Sequence, residues 1–204
     1  PARASGSMGE VFKEGVAYVR HTWPVRTLIL TLAMVNLTAS AYAVLLPVFA
    51  RDIFGGDAGT LGVIWGAAGC GAFLGTVFLA HQRGHGALAG TVVVGSAISA
   101  VSVAVFALAG WMPLALVAMA GLGFGISTVN VAINMLLQSM APEALRGRVV
   151  SFFSSTRFGF DALGGLVAGL AAAWLGARYT LLLEGVVLAG FVGLLITWRH
   201  RLRA

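Results

Sequence analysis

From Gly86 to Pro142 the chain reads GALAGTVVVGSAISAVSVAVFALAGWMPLALVAMAGLGFGISTVNVAINMLLQSMAP, without a single Asp, Glu, Lys or Arg. About 20 apolar residues in a helix cross the hydrocarbon core of a bilayer, so this run is too long for one crossing. It breaks at Gly110-Trp111-Met112-Pro113, because Gly and Pro punctuate helices and Pro suits a first helical turn. Two spans result, near 88–109 and 113–137. On the N-terminal side, Thr27 to Ala50 and Thr60 to Ala80 are equally free of charge. On the C-terminal side, 149–175 carries Arg157 and Asp161, and 179–198 carries Glu184. None of these runs alternates polar with apolar residues, which argues against a membrane β-barrel. The expected fold is an all-α membrane protein with six transmembrane helices, at 27–50, 60–80, 88–109, 113–137, 149–175 and 179–198.

Composition agrees. Hydrophobic residues make up 59% of the 204 and charged residues 10%, against about 25% charged in a soluble domain. The net charge of +6 does not point to nucleic acid, because the basic residues sit between apolar runs rather than along a stripe on a soluble fold. Cys70 is the only cysteine, so neither an intrachain disulfide nor a Cys-based metal site is expected. No G-x-x-x-x-G-K or H-E-x-x-H run occurs, and no cofactor is implied. Gly125-Ile126-Ser127-Thr128 lacks the last Gly of a G-x-S-G protease motif, and His21, His81, His85 and His200 lie at or outside span ends. An intramembrane hydrolase is therefore not expected.

The loops set an orientation. With both ends in the cytoplasm, the inner side holds Arg3, Lys13, Arg20, Arg26, Arg83, Arg146, Arg148, Arg199, Arg201 and Arg203, and the outer side only Arg51 and Arg178. That asymmetry follows the positive-inside rule. Trp23, Trp111, Trp174 and Trp198 fall near span ends, where an amphipathic ring prefers to sit; Trp65 lies a turn or so inside the second span. Residues 1–24 read as a linker followed by an amphipathic helix on the cytoplasmic surface. Ser7 and Glu10 have capping-box spacing, and Phe12, Val16, Val19 and Trp23 share one face. The bundle proper is expected over 25–204. A start at Pro rather than Met suits a piece of a longer protein.

Charge within a bilayer is costly, about 2.5–3.5 kcal/mol on insertion scales. Asp161 lies roughly 15–18 Å into the fifth span, near the midplane, with Arg157 four residues earlier on the same face. The pair reads either as a proton or substrate site or as a neutralising ion pair that locks the helix. Glu184, roughly 8 Å inside the sixth span, reads as an interfacial carboxylate reaching water or Arg178. Ser127, Asn130, Asn134 and Gln138 form one polar stripe on the fourth span, extended by Gly123, and Asn36 and Ser40 are one turn apart in the first. Such polar groups either line a translocation path or hydrogen-bond between helices. Gly62/Gly66, Gly71/Gly75, Gly165/Gly169 and Thr91/Gly95/Ser99 are small-xxx-small sets that read as helix packing.

The run Asn134-Met-Leu-Leu-Gln138-Ser-Met-Ala-Pro142-Glu-Ala-Leu-Arg146-Gly147-Arg148-Val-Val-Ser151, followed by Gly159-Phe-Asp161-Ala-Leu-Gly164-Gly165, resembles the cytoplasmic loop between the tenth and eleventh helices of major facilitator superfamily exporters. It is most similar to the branch of the enterobactin exporter and the macrolide efflux proteins. Glu14-Gly-Val-Ala-Tyr18-Val-Arg20 and Leu45-Leu46-Pro47-Val-Phe-Ala-Arg51 resemble the lead-in and the end of the seventh helix in that branch. The resemblance implies the second six-helix half, built of 3+3 inverted repeats, of a twelve-helix transporter. Its partners would be the lipid bilayer, a missing N-terminal six-helix half and a small-molecule substrate such as a drug, macrolide or siderophore. Proton-coupled export across the bacterial inner membrane by alternating access would be its function, with Arg146, Gly147 and Arg148 in a cytoplasmic gate loop. The loop His81-Gln-Arg83-Gly84-His85-Gly86 keeps basic and Gly residues but no acidic partner. No carboxylate matches a superfamily-wide proton site, so a coupling role for Asp161 rests on its depth alone. The alternative is a six-helix membrane scaffold or binding subunit that does not transport and whose intramembrane polar groups all pair internally.

Overall fold

The computed structural model describes residues 21–39, 41–82 and 84–202, without the side chains of 144 and 198–202. The expected surface helix of 1–24 falls almost wholly outside these residues, as do Ser40 and Arg83. Among the described residues seven α-helices follow one another: α1 (Trp23–Ala39), α2 (Tyr42–Val48), α3 (Ala58–Ala80), α4 (His85–Leu108), α5 (Met112–Met140), α6 (Arg146–Leu175) and α7 (Ala177–Leu202). Helices α1 and α2 with the turn after them form one span, Trp23–Ile53, so six segments are long and apolar enough to cross a membrane. The protein is an all-α integral membrane bundle.

In the first span α1 ends at Ala39 and α2 begins at Tyr42. Pro47 then sits inside α2 and offers no backbone N–H. The helix widens into a π turn over Phe49–Ile53, with the Phe54 N–H on the Phe49 carbonyl at 3.0 Å. The widened turn seats Phe49, fully buried, against Phe106 of α4 with ring centroids 4.8 Å apart.

The connections carry their own chemistry. Asp57 caps α3, accepting from the Thr60 N–H at 3.0 Å, while the Thr60 hydroxyl accepts from the Asp57 N–H. Those backbone N–H groups, Thr60 first and then Gly59, hold the Asp57 carboxyl below its ordinary range. Pro113 lies in the first turn of α5. Gly176 alone joins α6 to α7. Its φ of +81° is left-handed, and its N–H closes on the Ala172 carbonyl at 2.9 Å.

Burying apolar side chains does not by itself drive helices together in lipid; close packing and interhelical hydrogen bonds do. Helix α5 is the centre of this packing and lies against α3, α4, α1 and α6. A Cβ at Gly71 would run into the Ala120 carbonyl and one at Gly123 into the Ala68 carbonyl, so α3 and α5 touch backbone to backbone. Gly95, Ser99, Gly121, Gly125 and Thr128 do the same between α4 and α5. The packing reading therefore holds for Gly71/Gly75 and Thr91/Gly95/Ser99. It fails for Gly62/Gly66, where an added Cβ would meet nothing within 4 Å. Gly62 and Gly66 stand nine residues before Gly71 and Gly75, two and a half turns at about 3.6 residues per turn, and so face the opposite way. Gly164 packs on the Leu37 carbonyl and Gly165 on Val44, while Gly169 is open.

Candidate functional site

Helices α2, α3, α5 and α6 line an open cavity of about 310 Å³ among the first, second, fourth and fifth spans. Tyr42 and Trp65 form one wall, their rings 5.5 Å apart and tilted by 54°. Ser127, Asn130 and Val131 of α5 and Arg157 of α6 form the rest of its polar and facing surface. Asp161, one turn beyond Arg157, is exposed and lies within electrostatic reach of Tyr42.

The stripe on α5 divides. Asn130 is 3% exposed and accepts a hydrogen bond from Asn36 Nδ2 at 3.1 Å. Each amide is also tied to its own helix, Asn36 to the Leu32 carbonyl at 2.8 Å and Asn130 to the Ile126 carbonyl at 2.9 Å. Asn36 therefore holds Asn130 from behind and is not itself part of the cavity wall. Ser127 shares a hydrogen bond of 3.2 Å with Thr76 of α3. Gln138 donates to Asn134 at 3.0 Å, and these two lie outside the cavity.

Arg157 and Asp161 do not pair. The Arg157 guanidinium lies over the Phe158 ring, 5.2 Å from its centroid, and among the described residues no ion pair joins it to Asp161. Helical side chains lean toward the N-terminus, so an Arg that precedes its carboxylate by four residues leans away from it. Arg146 and Gly147 are exposed and Arg148 is half-buried. They stand in the first turn of α6, not in the expected loop. Pro142 stops the chain from extending α5, and a short 3-10 turn at Glu143–Leu145 starts the next helix early.

Glu184 also departs from expectation. Its Oε2 is buried and has no hydrogen-bond partner, and no ion pair to the exposed Arg178 forms among the described residues. Six residues at about 100° each put the two about 120° apart around α7, on different faces.

A larger cavity, about 520 Å³, lies elsewhere, between α1, α4, α5 and α7. Leu28, Val92, Val93, Leu136 and Leu195 dominate its walls, and the hydroxyls of Thr27 and Thr31 already donate to their own helix. The smaller cavity is the better candidate, because polar groups and a ring pair from four helices converge on it. Beside the larger one, Ser139 meets His85 Nε2 at 3.0 Å. Its hydroxyl proton is committed to the Leu136 carbonyl at 2.9 Å, so His85 is donor here and not the base of a nucleophilic pair.

Sequence reasoning missed Tyr42, Trp65 and Thr76. The odd depth of Trp65 was the one available signal. Tyr42 and Thr76 sit within apolar runs that mark no depth.

Such a six-span bundle, with polar groups gathered between its first, second, fourth and fifth helices, is one half of a major facilitator fold. The chain belongs to the transmembrane secretion effector family of that superfamily, whose model matches residues 4–204. It is also 30% identical over 182 residues to the multidrug efflux pump Tap of Mycolicibacterium fortuitum, covering 85% of this chain and 44% of that protein. The chain thus spans less than half the length of that relative.

Proposed function

We propose that the bundle is the C-terminal half of a secondary active transporter that exports a small molecule by alternating access, driven by the proton gradient of a bacterial inner membrane. The observation that carries this reading is the cavity where Tyr42, Trp65, Ser127, Asn130 and Arg157 converge from four helices. Family membership and the name of the efflux relative support it. In this reading both ends are cytoplasmic, which the distribution of basic residues supports. The exposed pair Gly62/Gly66 offers a close-packing face to the other six-helix half. Asp161, exposed and unpaired with Arg157, is the coupling carboxylate; Arg157 attracts it and orients substrate. Ser127 and Asn130 line the path, with Asn36 as support, and Asn134 and Gln138 extend it toward the cytoplasm. Arg146, Gly147 and Arg148 close the inner side against the partner half. The substrate class is a drug, macrolide or siderophore with both apolar and polar surface.

A scaffold that does not transport would have all its intramembrane polar groups paired. The Asn36–Asn130 bond suits it, but Asp161 and the buried oxygen of Glu184 do not. The test is export of ethidium and of erythromycin from cells expressing the full-length protein. Export that stops when an uncoupler collapses the gradient supports the transporter; absence of export by abundant, correctly inserted protein refutes it.

A further inference from the structure

Glu184 stands in the Gly176 half of α7, a helix that packs on α4. A Cβ at its neighbour Gly185 would approach Val103 to 2.9 Å and Ala104 to 3.2 Å, so the two backbones meet beside the carboxyl. Leu181 and Leu188, one turn to either side on the same face, are fully buried. Beside this contact the Glu184 side chain is half-buried, and its Oε2 is buried without a hydrogen-bond partner.

Helix α7 packs against α4, α6, α1 and α2. The titratable groups these carry are few. Helix α4 has only His85 and α1 only Arg26, both at the opposite end of the bundle. Helix α2 has Tyr42, followed by Arg51 and Asp52 in the π turn, and α6 has Arg146, Arg148, Arg157 and Asp161. None of them bonds to Oε2. An ionised carboxylate is acceptor-only and would leave a charge in apolar surroundings unmatched. Protonated, the group loses its charge and gains an O–H that a helix carbonyl one turn back can accept.

We propose that Glu184 is a proton-binding site of the bundle, holding a proton while α7 is seated on α4 and releasing it to water when the two helices part. No other bond forms or breaks: the acid becomes a carboxylate, and the proton passes to water. Coupling of this step to transport rests on the exporter reading above. Asp161, exposed in the same conformation, and Glu184, whose Oε2 is buried in it, would then exchange protons at different points of one cycle.

The test uses the full-length protein in native membranes. Dicyclohexylcarbodiimide adds to protonated carboxyls in apolar surroundings and leaves an N-acylurea, which peptide mass spectrometry locates. At pH 7, Glu184 should be modified and the exposed Glu143 should not; an unmodified Glu184 in folded protein overturns the proposal. Glu184→Gln, a permanent mimic of the neutral acid, should keep normal abundance but lower gradient-driven ethidium export at least tenfold. Wild-type export by that variant would make Glu184 a static neutral acid and overturn the carrier role. Should the variant fail to accumulate, labelling of the wild-type protein decides alone. Ethidium export indifferent to an uncoupler, with Glu184 still labelled, would defeat the proton-coupled reading and leave the proton site standing. Uncoupler-sensitive export with Glu184 unlabelled would do the reverse.

Discussion

Helices α5 and α6 are neighbours in sequence and similar in length, yet the bundle holds them differently. Helix α5 is pinned on several sides, backbone to backbone at Gly123 and Gly125, and Asn130 is matched by Asn36. Helix α6 buries only Val149, Phe153, Gly164 and Ala168. Its close backbone approach is Gly164 on the Leu37 carbonyl, and Trp174 is 90% exposed. Its two mid-span charges, Arg157 and Asp161, are left unpaired with each other. The contrast separates a helix that organises the bundle from one whose remaining surface is left for lipid, water or another bundle.

The sharpest way to break this contrast is to overpack both helices. Gly123→Leu drives a side chain into the Ala68 carbonyl of α3, where no flexible neighbour can yield. It should cost about 3 kcal/mol or more and lower the melting temperature of the detergent-solubilised protein severely. Gly159→Leu on α6, where nothing lies within 4 Å, should leave that temperature nearly unchanged. Equal losses from the two would erase the distinction.

Charge should matter on α6 for activity rather than stability. If Asp161 couples transport, Asp161→Asn in the full-length protein should lower gradient-driven export at least tenfold, about 1.4 kcal/mol, with normal abundance. A structural pair would behave otherwise: the single variant would fold poorly, and Asp161→Asn with Arg157→Gln would restore stability and export together. Normal export by the doubly neutral variant would remove the coupling role.

A smaller effect is expected where α1 meets α5. A double-mutant cycle of Asn36→Ala and Asn130→Ala, read by thermal unfolding in detergent, should give a coupling of about 0.6 kcal/mol, the usual size for hydrogen bonds between membrane helices. A value near zero would mean that the two amides are satisfied by their own helices.

The smallest effect lies outside the membrane. Asp57 has a folded pKa held below its unfolded value, so its stabilisation is complete above the unfolded pKa, about 3.9. It is lost as pH falls through the lower folded value. Asp57→Asn should lower the melting temperature slightly at pH 7 and change nothing at pH 2, so that the fall between pH 5 and 2 seen in the wild-type protein disappears.

The six spans are legible in the sequence because a charge-free run of sufficient length has few other meanings. Their contacts are less so. Gly62/Gly66 and Gly71/Gly75 look alike as motifs, and only helical phase tells them apart. For the candidate cavity, the stripe on α5 pointed to Ser127 and Asn130, but Tyr42 is one more residue in an apolar run until the fold sets it beside Trp65. Glu184 was read by depth, which set its distance from the interface but not the burial of its Oε2.

The place of α5 also bears on how the protein is made. Helices α3 and α4 make no extended contact with each other; each packs on α5, which the ribosome delivers after both. Until that helix enters the membrane, α3 has no backbone groove to occupy, and the Gly faces of Gly71 and Gly95 wait open beside lipid. Assembly must therefore follow insertion of the fourth span, and lesions at Gly123 or Gly125 would act on biogenesis before they act on any finished protein.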